Sequence, residues 1–134
     1  MPDIFLIPVC CAIIEHEGKV LIAQRHAHTS NAYYWEFPGG KQEENESAEE
    51  CLIREIREEL SVKIHIKEQL KPVVHHYPDK SIELIPFVCN YDGSPVKPEE
   101  HKKVLWIQIE QFGDFQWSAA DVKVWEQYIN RFRK

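Results

Sequence analysis

The spacing of apolar residues changes several times along the chain. Residues 4–15 are rich in β-branched and apolar side chains, and Glu17-Gly18 supplies a turn into Lys19–Gln24, which predicts a strand pair. Residues 26–34 are polar and aromatic without periodicity and predict a loop. Trp35-Glu36-Phe37 is a short extended piece ended by Pro38-Gly39-Gly40. The period then becomes helical. Ala48, Cys51, Leu52 and Ile56 make one stripe at about 100° per residue. Ser47-Ala48-Glu49-Glu50 reads as a capping box, and acids at Glu49 and Glu50 suit the positive end of the helix dipole. A helix is therefore expected from Ser47 to about Leu60.

Val62-Lys63-Ile64-His65-Ile66 alternates as a half-buried strand does. Residues 73–77 and 82–91 predict a hairpin around Pro78-Asp79-Lys80-Ser81, with Pro86 interrupting the second arm or placing it at an edge. Asp92-Gly93-Ser94-Pro95 marks another turn, and residues 104–107 a last strand. Ser118 opens a second helix with Val122, Trp125, Tyr128, Ile129 and Phe132 on one face. Mixed strands with two well-separated helices predict an α/β sandwich with one helix on each side of a mixed sheet.

Length and composition narrow the function classes. A chain of 134 residues makes one domain, 1–134, able to bury about two-thirds of its unfolded surface. The apolar runs are too short to cross a bilayer, no signal-peptide pattern opens the chain, and no repeat or low-complexity segment is visible. Cys10, Cys11, Cys51 and Cys89 form neither a secreted framework nor a CxxC pair, so a reduced cytoplasmic setting is expected. Cys10 and Cys11 are adjacent on a strand and point to opposite faces. A formal net charge of −6 argues against binding nucleic-acid polymers, which needs a basic patch. It does not argue against nucleotides, because metal ions can supply positive charge locally.

The first helix carries the chemistry. Glu55, Glu58 and Glu59 lie on nearly the same arc as Ala48, Cys51 and Leu52, so an oily face turns acidic along the helix. Carboxylates at this spacing repel one another and sit at the negative end of the dipole, an arrangement that costs stability unless cations occupy it. Left alone, the same acids with Arg54 and Arg57 as neighbours would be a solvated ridge. Hard divalent cations favour carboxylate oxygens, and Mg²⁺ binds a few of them together with substrate phosphates. The pattern points to a metal-dependent phosphate enzyme.

Gly40 is followed after five residues by Glu46, and after seven more by Arg54-Glu55-Ile56-Arg57-Glu58-Glu59-Leu60-Ser61-Val62. This resembles the Nudix box, G-x5-E-x7-R-E-U-x-E-E-x-G-U with U aliphatic. It departs only at Ser61, where the family has a Gly that ends the helix through a left-handed backbone Ser adopts less readily. The resemblance covers most of the chain, although only the box is highly specific. It implies a Nudix α/β/α sandwich with a loop-helix-loop box, and Mg²⁺, or Mn²⁺, as cofactor. Glu55, Glu58 and Glu59 would be metal ligands and catalytic groups. Glu55 would accept or direct the proton of the attacking water, and Arg54 would orient the acids, pairing with Glu50 one turn earlier.

Trp35-Glu36-Phe37-Pro38-Gly39-Gly40-Lys41 resembles the segment before the box in MutT-like Nudix enzymes, where the carbonyl matching Gly39 is a metal ligand. Two glycines permit close backbone approach; an ordinary Pro-Gly turn is the alternative. Glu100, six residues before Trp106, matches a further metal-directed glutamate, with Glu99 as the neighbouring register and a solvated loop as the plain reading. Arg25 matches a phosphate-contacting arginine, and Lys41 is the other nearby cation; each could equally be a surface charge. Tyr77-Pro78-Asp79-Lys80 resembles the aromatic-Pro-Asp-Arg turn of the MutT subgroup. Phe37 and Tyr77 would flank a base by stacking or else be core aromatics. Asp121 aligns with a position that reads the base edge, although Ser118-Ala119-Ala120-Asp121 is also a capping-box-like start.

Zinc is a minor alternative: His75 and His76 are adjacent on a strand, and His26, His28 and His101 fall in loops. Neither a G-x-S-x-G elbow nor a G-x4-G-K-[ST] phosphate loop is present. The resemblance implies hydrolysis of a nucleoside triphosphate to monophosphate and pyrophosphate, with attack usually at the β-phosphorus, most directly by an enzyme that removes 8-oxo-dGTP. The alternatives are a CTP or dCTP pyrophosphohydrolase, which shares the W-E-F and A-Q-R features, and a dinucleotide or nucleotide-sugar hydrolase. From another class comes a non-catalytic nucleotide sensor, which the complete set of box carboxylates disfavours. Monomer and homodimer are both left open.

Overall fold

A computed structural model describes residues 5–26, 32–98 and 103–132. The element order is β1 (Leu6–His16), β2 (Lys19–Gln24), β3 (Trp35–Glu36), β4 (Gly39–Lys41), α1 (Ala48–Leu60), β5 (Ile64–Gln69), β6 (Val73–His76), β7 (Ser81–Tyr91), β8 (Lys103–Ile107), a 3-10 segment Ile109–Asp114 and α2 (Ala119–Asn130). The strands form one mixed sheet. β1 and β7 run parallel from Leu6↔Ser81 to Glu15↔Asn90, and the other pairings are antiparallel.

Alternation along β1 builds both layers. Cys10, Ala12 and Ile14 face Leu52, Ile56 and Leu60 of α1, while Cys11 and Ile13 face Val124, Trp125 and Tyr128 of α2. The expected sandwich, a helix on each face of a mixed sheet, is the observed fold. Burying each large aliphatic residue of α1 contributes about 1.5–3 kcal/mol before entropy is counted.

α1 begins as read. The Ser47 hydroxyl accepts from the Glu50 amide at 3.1 Å, and the Glu50 carboxylate accepts from the Ser47 amide at 2.8 Å. The helix ends on Ser61 in the left-handed region (φ 58°, ψ 31°), with its N–H donating to the Arg57 carbonyl. Ser thus takes the family glycine's conformation against its own preference. Ser61→Gly should stabilise the fold by about 0.5–1 kcal/mol, read as a raised urea midpoint at unchanged slope.

Several local readings are corrected. Pro86 neither interrupts β7 nor lies at an edge: it pairs with Cys11 inside the sheet. Its carbonyl accepts from Leu70 at 2.9 Å, between the end of β5 and the start of β6. A strand residue's N–H and C=O leave on the same side, so the missing donor falls where one neighbouring strand replaces another. The alternative of an ordinary Pro-Gly turn is not what forms at Pro38-Gly39-Gly40, because Gly39–Lys41 pairs with β1 as β4. The strand after α1 starts at Ile64 and runs on to Gln69.

On α2 the buried stripe is Ala120, Asp121, Val124, Trp125 and Tyr128, whereas Phe132 is 57% exposed. Counting only apolar residues rotated the expected face, because a carboxyl group occupies the stripe's first turn. Among the described residues no helix is long and apolar enough to cross a membrane.

Candidate active site

The two glycines of β4 are forced by close approach. A Cβ on Gly39 would lie 1.9 Å from the Cys10 carbonyl oxygen, and one on Gly40 would lie 2.3 Å from the Glu55 carboxylate. The Glu55 head group therefore rests against the β4 backbone. Beneath it the Cys10 and Cys51 thiols are 2.8 Å apart, both near the Gly40 carbonyl. Burial raises both thiol pKa values, and the pair packs α1 onto β1 as neutral groups.

Arg54 is the hub of this end of the site. Its guanidinium donates to Glu46 at 2.7 and 3.1 Å, to Glu55 at 2.9 Å, to Glu58 at 3.3 Å and to the Lys41 carbonyl at 3.3 Å. Glu50, the expected partner, is engaged by the capping box, so Arg54 reaches back to Glu46 and along the helix to Glu55 and Glu58. The hydrogen bonds from Arg54 hold the Glu46 carboxyl down to about 2. Carbonyls two residues apart on a strand leave by the same edge. The Gly39 carbonyl therefore points off β4 on the side where Arg54 meets Lys41, as a ligand there would require.

Glu58 is 59% exposed and Glu59 half-buried. Among the described residues no three His, Cys, Asp or Glu side chains already converge on one point. Glu100, with Glu99, His28 and His101, lies outside the described residues.

A cleft of about 200 Å³ is lined by Arg25, Glu36, Phe37, the β4 residues Gly39–Lys41, Tyr77, Ser118 and Asp121 among others. Arg25 donates to Glu36 at 2.8 Å. Asp121 is 6% exposed, and its Oδ1 accepts from the Phe37 amide at 2.9 Å. Burial first, and then the neighbouring Glu36 carboxylate, push the Asp121 carboxyl well above its ordinary range and favour its protonated form.

The capping-box reading of residues 118–121 is not what forms. Ser118 makes no side-chain cap, and Asp121 faces inward to Phe37. Nor do Phe37 and Tyr77 make an open stacking pair. Phe37 is 3% exposed, with its ring centroid 5.4 Å from Trp117 and 6.4 Å from Trp125 in the core beneath α2. The Tyr77 hydroxyl accepts from the Ala120 amide at 3.1 Å, which pins the hairpin to the start of α2.

Asp121→Asn should keep the bond to Phe37 and remove the titration. The native carboxyl stays protonated above the pH, near 3.8, at which the unfolded chain ionises. Wild-type stability therefore falls as pH rises beyond that value. The Asn variant lacks this loss, so its Tm advantage should widen as pH rises above about 3.8. A pH-independent Tm difference would contradict a protonated Asp121.

Comparison with known proteins bears on this architecture directly. A family model described as NUDIX domain matches residues 9–127. The chain is a MutT-like Nudix hydrolase. It is 34% identical to the CTP pyrophosphohydrolase of Escherichia coli (strain K12) over 125 residues, 92% of each chain. It is 28% identical to the 8-oxo-dGTP diphosphatase of Haemophilus influenzae over 127 residues, 93% of each. Its fold superposes on the crystal structure of a MutT protein from Methanosarcina mazei with a TM-score of 0.89, at 26% identity and full coverage of both chains.

Within this Nudix domain, three site residues escaped the motif reading. Glu46 belongs to the box, but its role as the main partner of Arg54 appears only when the 43–46 loop is seen folded onto α1. Glu36 stands between two buried aromatics on β3, and an acid in that setting is a usable sequence signal. Ser118 looked like a helix cap and nothing more. The donor set fits a hard cation. Glu55, Glu58 and Glu59 would offer it carboxylate oxygens from one helix arc, beside a strand edge from which the Gly39 carbonyl projects.

Proposed function

We propose that this Nudix enzyme is a divalent-metal-dependent pyrophosphohydrolase of cytosine nucleoside triphosphates, CTP, dCTP or their derivatives, releasing the monophosphate and pyrophosphate. The observation that carries the reading is one continuous cleft. The acid pair Asp121–Glu36 lines one part of it, and the Gly39–Lys41 strand, against which Glu55 lies, lines another. A cytosine edge offers an amino donor and a ring-nitrogen acceptor. A carboxylate accepts from the amino group, and a protonated carboxyl donates to the nitrogen. Glu36 and Asp121 supply that complement. The E. coli relative named as a CTP pyrophosphohydrolase matches at higher identity than the full-length H. influenzae 8-oxo-dGTP diphosphatase.

Mg²⁺ or Mn²⁺ held by Glu55, Glu58, Glu59 and the Gly39 carbonyl would neutralise the polyphosphate and acidify water. The chain's own groups do the rest. Arg25 and Lys41 give positive charge along the cleft for phosphate oxygens, with Lys41 acting as a point charge. Arg54 fixes the Glu55 head group against β4, where Glu55 directs or accepts the proton of the attacking water. Tyr77 offers an aromatic face on the base side.

The second reading is 8-oxo-dGTP removal, favoured by the relatives carrying that name. An oxidised purine also presents an N–H donor beside a carbonyl acceptor. Pyrophosphate release from CTP, dCTP, 5-methyl-dCTP, dGTP and 8-oxo-dGTP with Mg²⁺ separates the two. A cytosine nucleotide is expected to exceed 8-oxo-dGTP in kcat/KM by about tenfold or more. The reverse order would establish the second reading.

A further inference from the structure

Ser118 is 4% exposed, lines the cleft beside Asp121, and its hydroxyl oxygen has no hydrogen-bond partner. An N-cap serine ordinarily accepts from the amide two or three residues on. Here both of those amides are already bound. The Ala120 N–H donates to the Tyr77 hydroxyl at 3.1 Å, and the Asp121 N–H donates to the Ser118 main-chain carbonyl at 3.0 Å. The Ser118 N–H in turn donates to the Trp35 carbonyl at 2.9 Å, next to Glu36. The backbone of Ser118 is thus tied to β3 and to α2, while its side chain is released from capping and left unsatisfied at the cleft wall. Buried hydroxyls nearly always find a partner, and one left unsatisfied at a cleft wall calls for a functional explanation.

We propose that Ser118 is a specificity-determining residue whose hydroxyl hydrogen-bonds an acceptor on the ring edge of the bound nucleobase. This rests on the assignment of the Asp121–Glu36 part of the cleft to the base, and it does not depend on which base is preferred. Asp121 and Glu36 address two adjacent positions of the ring edge. Ser118 adds a third contact from a different direction, held in place by main-chain bonds and not by a flexible loop.

The test is Ser118→Ala, assayed against the same triphosphate panel, with nucleotide binding followed by calorimetry and unfolding followed without ligand. For the nucleotide the wild type prefers, KM and Kd should rise about tenfold with kcat within about twofold. The preference over the poorest nucleotide should shrink by the same factor. The Tm without ligand should stay level or rise, because no hydrogen bond of the free protein is lost. Unchanged KM, Kd and preference would overturn the proposal, and a lowered Tm alongside them would make the hydroxyl a water-bridged cap. A wild type preferring 8-oxo-dGTP would revise the base assignment and leave the Ser118 comparison intact. A wild type that neither binds nor hydrolyses any nucleotide would overturn both.

Discussion

Glu58→Gln is expected to lower kcat by about 10²- to 10³-fold and leave the metal-free fold at least as stable as before. The two effects have opposite signs for one reason. Glu58 is 59% exposed and meets Arg54 through a long 3.3 Å bond, which exposure makes weak. It stands in the last turns of α1, near Glu55 and Glu59, where the helix dipole and like charges both disfavour a carboxylate by tenths of a kcal/mol. Removing that charge relieves the free protein and deprives a bound cation of a ligand. A residue kept for stability would show the opposite. The checks are steady-state rates across a Mg²⁺ titration and melts with and without metal and nucleotide, where Glu58→Gln should lose much of the ligand-induced rise in Tm. Near-normal turnover at saturating metal would remove Glu58 from the metal site.

Local patterns were legible and long-range pairings were not. The capping box at Ser47, the opposite facing of Cys10 and Cys11 and the hairpin at residues 77–81 are set by neighbours a few positions apart, and each appears as read. The site at the base end depends on contacts no window contains: Phe37 and Asp121 are 84 positions apart. Local sequence therefore leaves Asp121 open between base-edge reader and helix cap, and it sets the buried face of α2 one step off. Arg54 shows the same effect on a smaller scale. Periodicity offers Glu50 at one helical turn, but the capping box has claimed it, and the loop returns Glu46 to fill the gap. What proline does to a ladder does not reveal that two strands share one side of β7, where Pro86 falls at the changeover.

Arg54→Ala should cut kcat by about 10²-fold or more and lower Tm by about 5 °C or more, a joint loss unlike that of Glu58→Gln. Arg54 binds Glu46, Glu55, Glu58 and the Lys41 carbonyl, so one side chain fixes the 43–46 loop, the β4 edge and the carboxylate resting against Gly40. Without it, Glu46 and Glu55, whose side chains are 14% and 16% exposed, lose their counter-charge. Arg54→Lys should recover part of the stability and little of the rate, because a point charge cannot hold three carboxylates and a carbonyl in a fixed fork. Acid titration supplies the independent check. Glu46 titrates near 4.5 in the unfolded chain and about 2 beside Arg54, so the pair stabilises the fold above 4.5 and fades as pH falls towards 2. The Tm gap between wild type and Arg54→Ala should close over that window. A gap that persists at pH 2 would mean that Arg54 acts through packing and not through the Glu46 pair.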